Sequence, residues 1–169
     1  YIDIDSEPGS GTTFTLYFPI INVDLPEKEN IEWYSFRGRG QHVLVVDDME
    51  EQRILATEIL TLLGYVVHVA SSGEDAVEQC RDNRFDLLLL DMIMPGGIDG
   101  LDTYSRICEF HPRQKAVIAS GYSDSYSVQK AQEIGAGTYV KKPYTVASLA
   151  RAVYQELAAK SLQTEPAIP

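Results

Sequence analysis

The spacing of hydrophobic and polar positions changes at about residue 41. Upstream, Tyr1 to Asp5 alternates with a period of two. Ser6-Glu7-Pro8-Gly9-Ser10-Gly11 interrupts it, and Thr12 to Ile20 is rich in β-branched and aromatic residues. That pattern predicts two short strands around a Gly-rich turn. An isolated hairpin is marginal in water, so residues 1–20 are expected to be a remnant of a larger sheet. Residues 21–40 contain Pro26, mixed charges and a closing Gly38-Arg39-Gly40, the composition of a linker. Trp33, Tyr34 and Phe36 are too apolar for a purely solvated tether, so part of the linker is expected to dock.

From His42 onward, short continuous apolar runs alternate with segments of helical period. The runs are 43–46, 66–69, 87–90, 116–119 and 138–140. Between and after them lie predicted helices with these inward residues: Leu55, Ile59, Leu62 and Leu63; Ala76, Val77 and Cys80; Leu101, Tyr104 and Ile107; Val128, Ala131 and Ile134; Leu149, Ala150, Val153 and Leu157. Gly64 and Gly135 close two of these helices. Residues 161–169 form a polar, Pro-containing tail. Strands that are apolar throughout belong to a parallel sheet covered on both faces. Five strand–helix units over 41–160 therefore predict an α/β fold. The expected form is a doubly wound, five-stranded, flavodoxin-like sheet. An eight-fold barrel needs roughly twice this length.

In such a sheet, chemistry gathers beyond the carboxyl ends of the strands. Asp47 and Asp48 follow the first strand, Asp91 the third, Ser120 the fourth, and Lys141-Lys142-Pro143 the fifth. Three carboxylates at one edge repel unless a cation joins them. Hard oxygen donors favour Mg²⁺. A carboxylate beside Mg²⁺, an ammonium and a hydroxyl form a site for phosphoryl transfer, with Asp91 the natural nucleophile.

Composition narrows the partners. The 169 residues carry 14 Lys plus Arg against 25 Asp plus Glu, a net charge of −11, which disfavours a grip on nucleic acid. No apolar run reaches the ~20 residues of a membrane span, so direct membrane contact is not expected. Cys80 and Cys108 lack metal spacing and fit reduced residues of a cytoplasmic protein. His42, His68 and His111 are scattered, which argues against a metal or phosphoacceptor role.

VLVVDD, LLLLDMIMPGGIDG, VIASGY and YVKKPY, in this order, resemble the receiver domain of two-component response regulators over residues 41–160. The resemblance implies that Asp91 is the phosphoacceptor. It implies Mg²⁺ held by Asp48 directly, by Asp47 through water, by Asp91 and by the backbone carbonyl of Ile93. Ser120 and Tyr139 become switch residues, and Lys142 the lysine that meets the phosphoryl group, with a cis peptide before Pro143. Ile93 and Tyr122 lie where side chains tune hydrolysis. The loop after Asp91 is one residue longer than the commonest version, and Ser120 stands where Thr is more frequent. The face formed by the fourth helix, fifth strand and last helix (125–157) is expected to respond.

Asp5-Ser6-Glu7-Pro8-Gly9-Ser10-Gly11 and the strand after it resemble the end of a histidine-kinase ATP-binding domain. Kinase end, linker and receiver are the layout of a hybrid sensor histidine kinase. The implied partners are a histidine-kinase dimerisation domain carrying phosphohistidine, a histidine phosphotransfer protein, or a second copy of the chain. The fragment is expected to be no independent enzyme beyond its own phosphorylation and dephosphorylation. An aspartyl phosphatase on a similar sheet is the rival reading, but such enzymes place Asp-x-Asp after the first strand. A degenerate receiver is a third, disfavoured by the full set of Asp47, Asp48, Asp91, Ser120 and Lys142.

Overall fold

The computed structural model describes residues 1–18, 33–121 and 126–159. Most of the expected linker, Tyr122 and the tail lie outside the described residues. The chain forms two compact units, Tyr1–Ile31 and Glu32–Pro169.

In the first unit, β1 (Ile2–Glu7) pairs antiparallel with β2 (Gly11–Leu16), as the alternation predicts. The register sets Ile2 opposite Leu16 and Ile4 opposite Phe14, so these four side chains share one face. All four are exposed. Gly9 and Gly11 adopt positive φ of 84° and 101°, the left-handed backbone that lets the turn close.

In the second unit, β3 (His42–Val46), β4 (Val66–Ala70), β5 (Leu87–Asp91), β6 (Ala116–Ser120) and β7 (Tyr139–Lys141) form one parallel sheet. Its order is β4-β3-β5-β6-β7. This is the doubly wound, flavodoxin-like arrangement expected from the repeat. The helices are α1 (Glu50–Leu62), α2 (Gly73–Asp82), α3 (Gly100–Phe110), α4 (Tyr126–Ile134) and α5 (Val146–Ala158). The central strands β3, β5 and β6 are buried almost throughout. Leu44, Leu88 and Ile118 point to the face covered by α2, α3 and α4, where Cys80, Tyr104, Ile107 and Val128 pack. Val43, Leu89 and Val117 point to the other face, against Ile59, Leu60, Leu149 and Val153 of α1 and α5. Among the described residues, no helix is long and apolar enough to cross a membrane.

Three expected inward residues are corrected. Leu55 and Leu62 of α1 are exposed, and the buried stripe is Ala56, Ile59, Leu60 and, just past the helix, Leu63. Ile134 is exposed at the last residue of α4, where Gly135 turns the chain at φ 125°. The docking expected of the aromatic linker is present for Phe36. A 3-10 helix, Trp33–Phe36, sets the Phe36 ring 5.5 Å from that of Tyr154 on α5. The Gly38 amide donates to Leu63 O at 2.8 Å, which ties the segment to the end of α1.

Candidate phosphoacceptor site

The carboxyl edge of the sheet collects polar residues because each strand stops there. Val46 ends β3, and Asp47 follows with its amide on Ala70 O at 3.2 Å. Asp91 is the last residue of β5, and Ser120 the last of β6. β7 ends at Lys141, so Lys142 projects from the first loop position, followed by a cis peptide to Pro143.

Carboxylate oxygens of Asp47, Asp48 and Asp91 lie within 4.8 Å of one another. Asp47 and Asp91 are buried, whereas Asp48 is more open to solvent. The Lys142 ammonium bridges the two buried acids, touching Asp47 Oδ2 and lying 2.8 Å from Asp91 Oδ2. The Lys142 ammonium is thus paired with two of the three carboxylates. Burial raises the Asp47 carboxyl above the usual aspartate range, and the Lys142 hydrogen bond and charge oppose that rise. Asp47 Oδ1 accepts from the Met49 amide at 3.0 Å, and Asp91 Oδ1 from the Ile93 amide at 3.3 Å. One oxygen of each of the three carboxylates is a hard donor within 4.8 Å of the others. That donor set fits a divalent cation such as Mg²⁺.

One strand further on, the Ser120 carbonyl accepts from the Lys142 amide at 2.9 Å and from the Tyr139 hydroxyl at 2.8 Å. The Tyr139 ring is half-buried against the α2–α4 side of the core.

Two residues at this edge were not singled out from the sequence. Arg53 on α1 donates from Nη1 to the carbonyls of Asp47 (2.7 Å) and Asp48 (2.9 Å). It clamps the backbone of the acidic pair. Tyr144 is buried, and burial reinforced by the charges of Asp47 and Asp91 pushes its phenol up to about 12. Arg53 acts on carbonyls, and Tyr144 closes the YVKKPY motif with no role assigned to it there. Arg53→Ala removes two charge-assisted bonds at a half-buried position. It should cost about 1–3 kcal/mol in urea unfolding and weaken Mg²⁺ binding, whereas Arg53→Lys should recover part of both.

The histidines lie apart from this cluster. His42 and His68 meet across β3 and β4, Nδ1 to Nε2 at 3.0 Å, and His111 Nε2 bonds the Cys80 carbonyl at 2.9 Å. Both cysteines are free, and burial pushes the Cys80 thiol up to about 12.

The family described as "Response regulator receiver domain" matches residues 43–154. Sporulation initiation phosphotransferase F of Bacillus subtilis is 32% identical over 122 residues, covering 72% of this chain and 98% of that protein. Autoinducer 1 sensor kinase/phosphatase LuxN of Vibrio campbellii is 31% identical over 168 residues. That match covers 88% of this chain but spans only 19% of LuxN. The solved CheX-CheY-BeF3-Mg+2 complex from Borrelia burgdorferi contains a chain 29% identical, with a TM-score of 0.64. It covers 68% of this chain and 87% of that one.

Proposed function

The chain belongs to the family of response regulator receiver domains, phosphoacceptors of two-component signalling, and on that premise we propose that Asp91 takes the phosphoryl group from a phosphohistidine. The observation that carries this reading is the ammonium of Lys142 held between Asp47 and Asp91 at the carboxyl edge, with Asp48 beside them. An Asp91 carboxylate oxygen attacks phosphorus, the P–N bond breaks, and its electron pair returns to the donor imidazole. Lys142 is placed to follow the incoming phosphoryl oxygens, and the Ser120 hydroxyl is a second donor at the same edge. Asp47, Asp48, Asp91 and the Ile93 carbonyl are the groups that would hold Mg²⁺. The ion supplies neutralisation of phosphoryl charge in transfer. The beryllofluoride and magnesium named for the Borrelia complex support the same chemistry here.

The hairpin is the closing edge of a histidine-kinase ATP-binding domain, and the whole is part of a hybrid sensor kinase acting in the cytoplasm. Two facts support this. The LuxN match covers 88% of this chain, against 72% for the single-domain relative. The apolar face of Ile2, Ile4, Phe14 and Leu16 is exposed, as for strands taken from a larger sheet. The domains run 1–20, 21–40, 41–160 and 161–169. The donor is a kinase dimerisation domain or a histidine phosphotransfer protein, and a second copy of the chain is a further partner. Residues 1–20 carry one Gly-rich turn of a nucleotide pocket, so the chain should show no micromolar ATP binding by calorimetry.

The test is transfer of labelled phosphate from purified phosphorylated kinases and phosphotransfer proteins, with and without Mg²⁺. Transfer that needs Mg²⁺ is expected, and hydrolysis of a generic phosphomonoester with turnover would overturn the reading in favour of a phosphatase. The switch has its own readout. Beryllofluoride with Mg²⁺ should move amide signals across α4, β7 and α5, and Ser120→Ala should confine the shifts to the loops around Asp91. One or two new hydrogen bonds bias such an equilibrium by about 1–3 kcal/mol, so the response is a population shift.

A further inference from the structure

We propose that Glu74, in the first turn of α2, is a positioning residue for the phosphoacceptor site, holding the β5–α3 loop in the geometry that the acidic edge needs. The inference rests on the reading of Asp91 above.

The loop joining Asp91 to Gly100 carries Ile93, whose carbonyl is assigned to the metal. It contains Gly96 and Gly97, and Gly96 has a φ of 100° that few other residues adopt. Such a loop needs anchors at both ends. The near end is tied by the Ile93 amide on Asp91 Oδ1 and by burial of Met94. The far end is held from α2, where Glu74 Oε1 accepts from the Ile98 amide at 2.9 Å.

Two glycines are shaped to that contact. A Cβ on Gly97 would stand 2.7 and 2.9 Å from the two carboxylate oxygens of Glu74. With a bare residue 97 the carboxylate reaches across it to the amide of 98 without being displaced. A Cβ on Gly73 would lie 2.9 Å from the Ile98 carbonyl. The loop thus lies flush on the start of α2. At its end the Gly100 amide returns to Met92 O at 3.3 Å, and a Cβ there would lie 2.7 Å from Met92 Cα. Movement of residues 97–100 is therefore passed to the backbone beside Asp91.

The electrostatics agree. The Ile98 amide bond holds the Glu74 carboxyl below its ordinary range. Glu74 and Asp48 also face the same cavity, of about 100 Å³, between the β4–α2 and β5–α3 loops. Glu74 touches none of the reacting atoms; it acts by fixing the loop.

The experiment compares Glu74→Ala, Glu74→Gln and Gly97→Ala in the full chain. In metal-free protein, exchange at the Ile98 amide should rise about tenfold in the Ala variant. It should stay near wild type in the Gln variant, whose Oε1 accepts the same bond. Mg²⁺ binding measured by calorimetry should weaken about tenfold in Glu74→Ala, as for lost outer-shell support, and be near wild type in Glu74→Gln. Gly97→Ala should reproduce Glu74→Ala, and the double variant should lose nothing more. Faster Ile98 exchange with unchanged Mg²⁺ affinity would overturn the proposal. So would a loss that Gln does not rescue, because it would mark a general weakening of α2. Failure of the wild-type chain to bind Mg²⁺ or accept phosphate would strike the assignment of Asp91 instead.

Discussion

Asp91→Asn should reduce labelling of the chain by acetyl phosphate in Mg²⁺ to background. The amide keeps the shape of the side chain but has no anionic oxygen to attack phosphorus. Its oxygen can still accept from the Ile93 amide, 3.3 Å away, while an NH2 group replaces the oxygen that faced Lys142, which keeps Asp47 as its partner. The fold is therefore retained, and the metal-free variant should be no less stable than wild type. Removing one of three clustered carboxylates relieves repulsion that a single ammonium balances only in part. Labelling falls while stability does not, which separates loss of chemistry from loss of structure. The rise in melting temperature on adding Mg²⁺ should also shrink. A ligand at 100 times its Kd stabilises by about 2.7 kcal/mol, and a weaker site gains less at the same concentration. Acid-labile phosphate that survives Asp91→Asn would remove the residue from its role.

The sheet and its edge were legible for a common reason. Apolar runs too short for helices, each followed by a helical period, leave few arrangements, and the first polar residue after each run falls at the carboxyl edge. Asp47, Asp91 and Lys142 meet there across 95 residues of chain. The helix faces were less legible. In α1 two apolar stripes lie side by side, and Leu55 and Leu62 outrank Ala56 in hydrophobicity. The stripe that faces the sheet is nevertheless Ala56, Ile59, Leu60 and Leu63, spaced at three, four and seven residues, and Leu55 and Leu62 fall on the stripe beside it. The clamps made by Arg53 and Glu74 were not legible, because their partners are backbone groups, to which a residue pattern gives no address. The meeting of His42 and His68 follows from strand register, which places His42 opposite Val66 and Leu44 opposite His68. Separate inspection of three scattered histidines could not reveal it.

Lys142→Met should be the most destabilising change at this edge, and its cost should depend on pH and Mg²⁺ in a defined direction. The lysine side chain is 15% exposed, and those of Asp47 and Asp91 are 5% and 10% exposed. Removing one partner of a buried pair leaves an uncompensated charge, at a cost of roughly 3–5 kcal/mol. Here the orphaned group can escape by taking up a proton. Burial already raises the Asp47 carboxyl above 3.8, and Lys142 is the main force holding it down. Without the ammonium it must rise further. A carboxyl raised in the folded state binds protons more tightly there than in the unfolded chain. Its contribution to stability is therefore lost as pH rises through the folded value and regained as pH falls towards the ordinary value of 3.8. The deficit of Lys142→Met in chelator should be greatest near neutral pH and narrow on acidification. Mg²⁺ at neutral pH should narrow it as well, because the ion supplies the positive charge that the side chain no longer does. Urea titrations at two pH values, each with and without Mg²⁺, measure all four states. A deficit equal in all of them would mean that the charge of Lys142 is not the source of its contribution to stability.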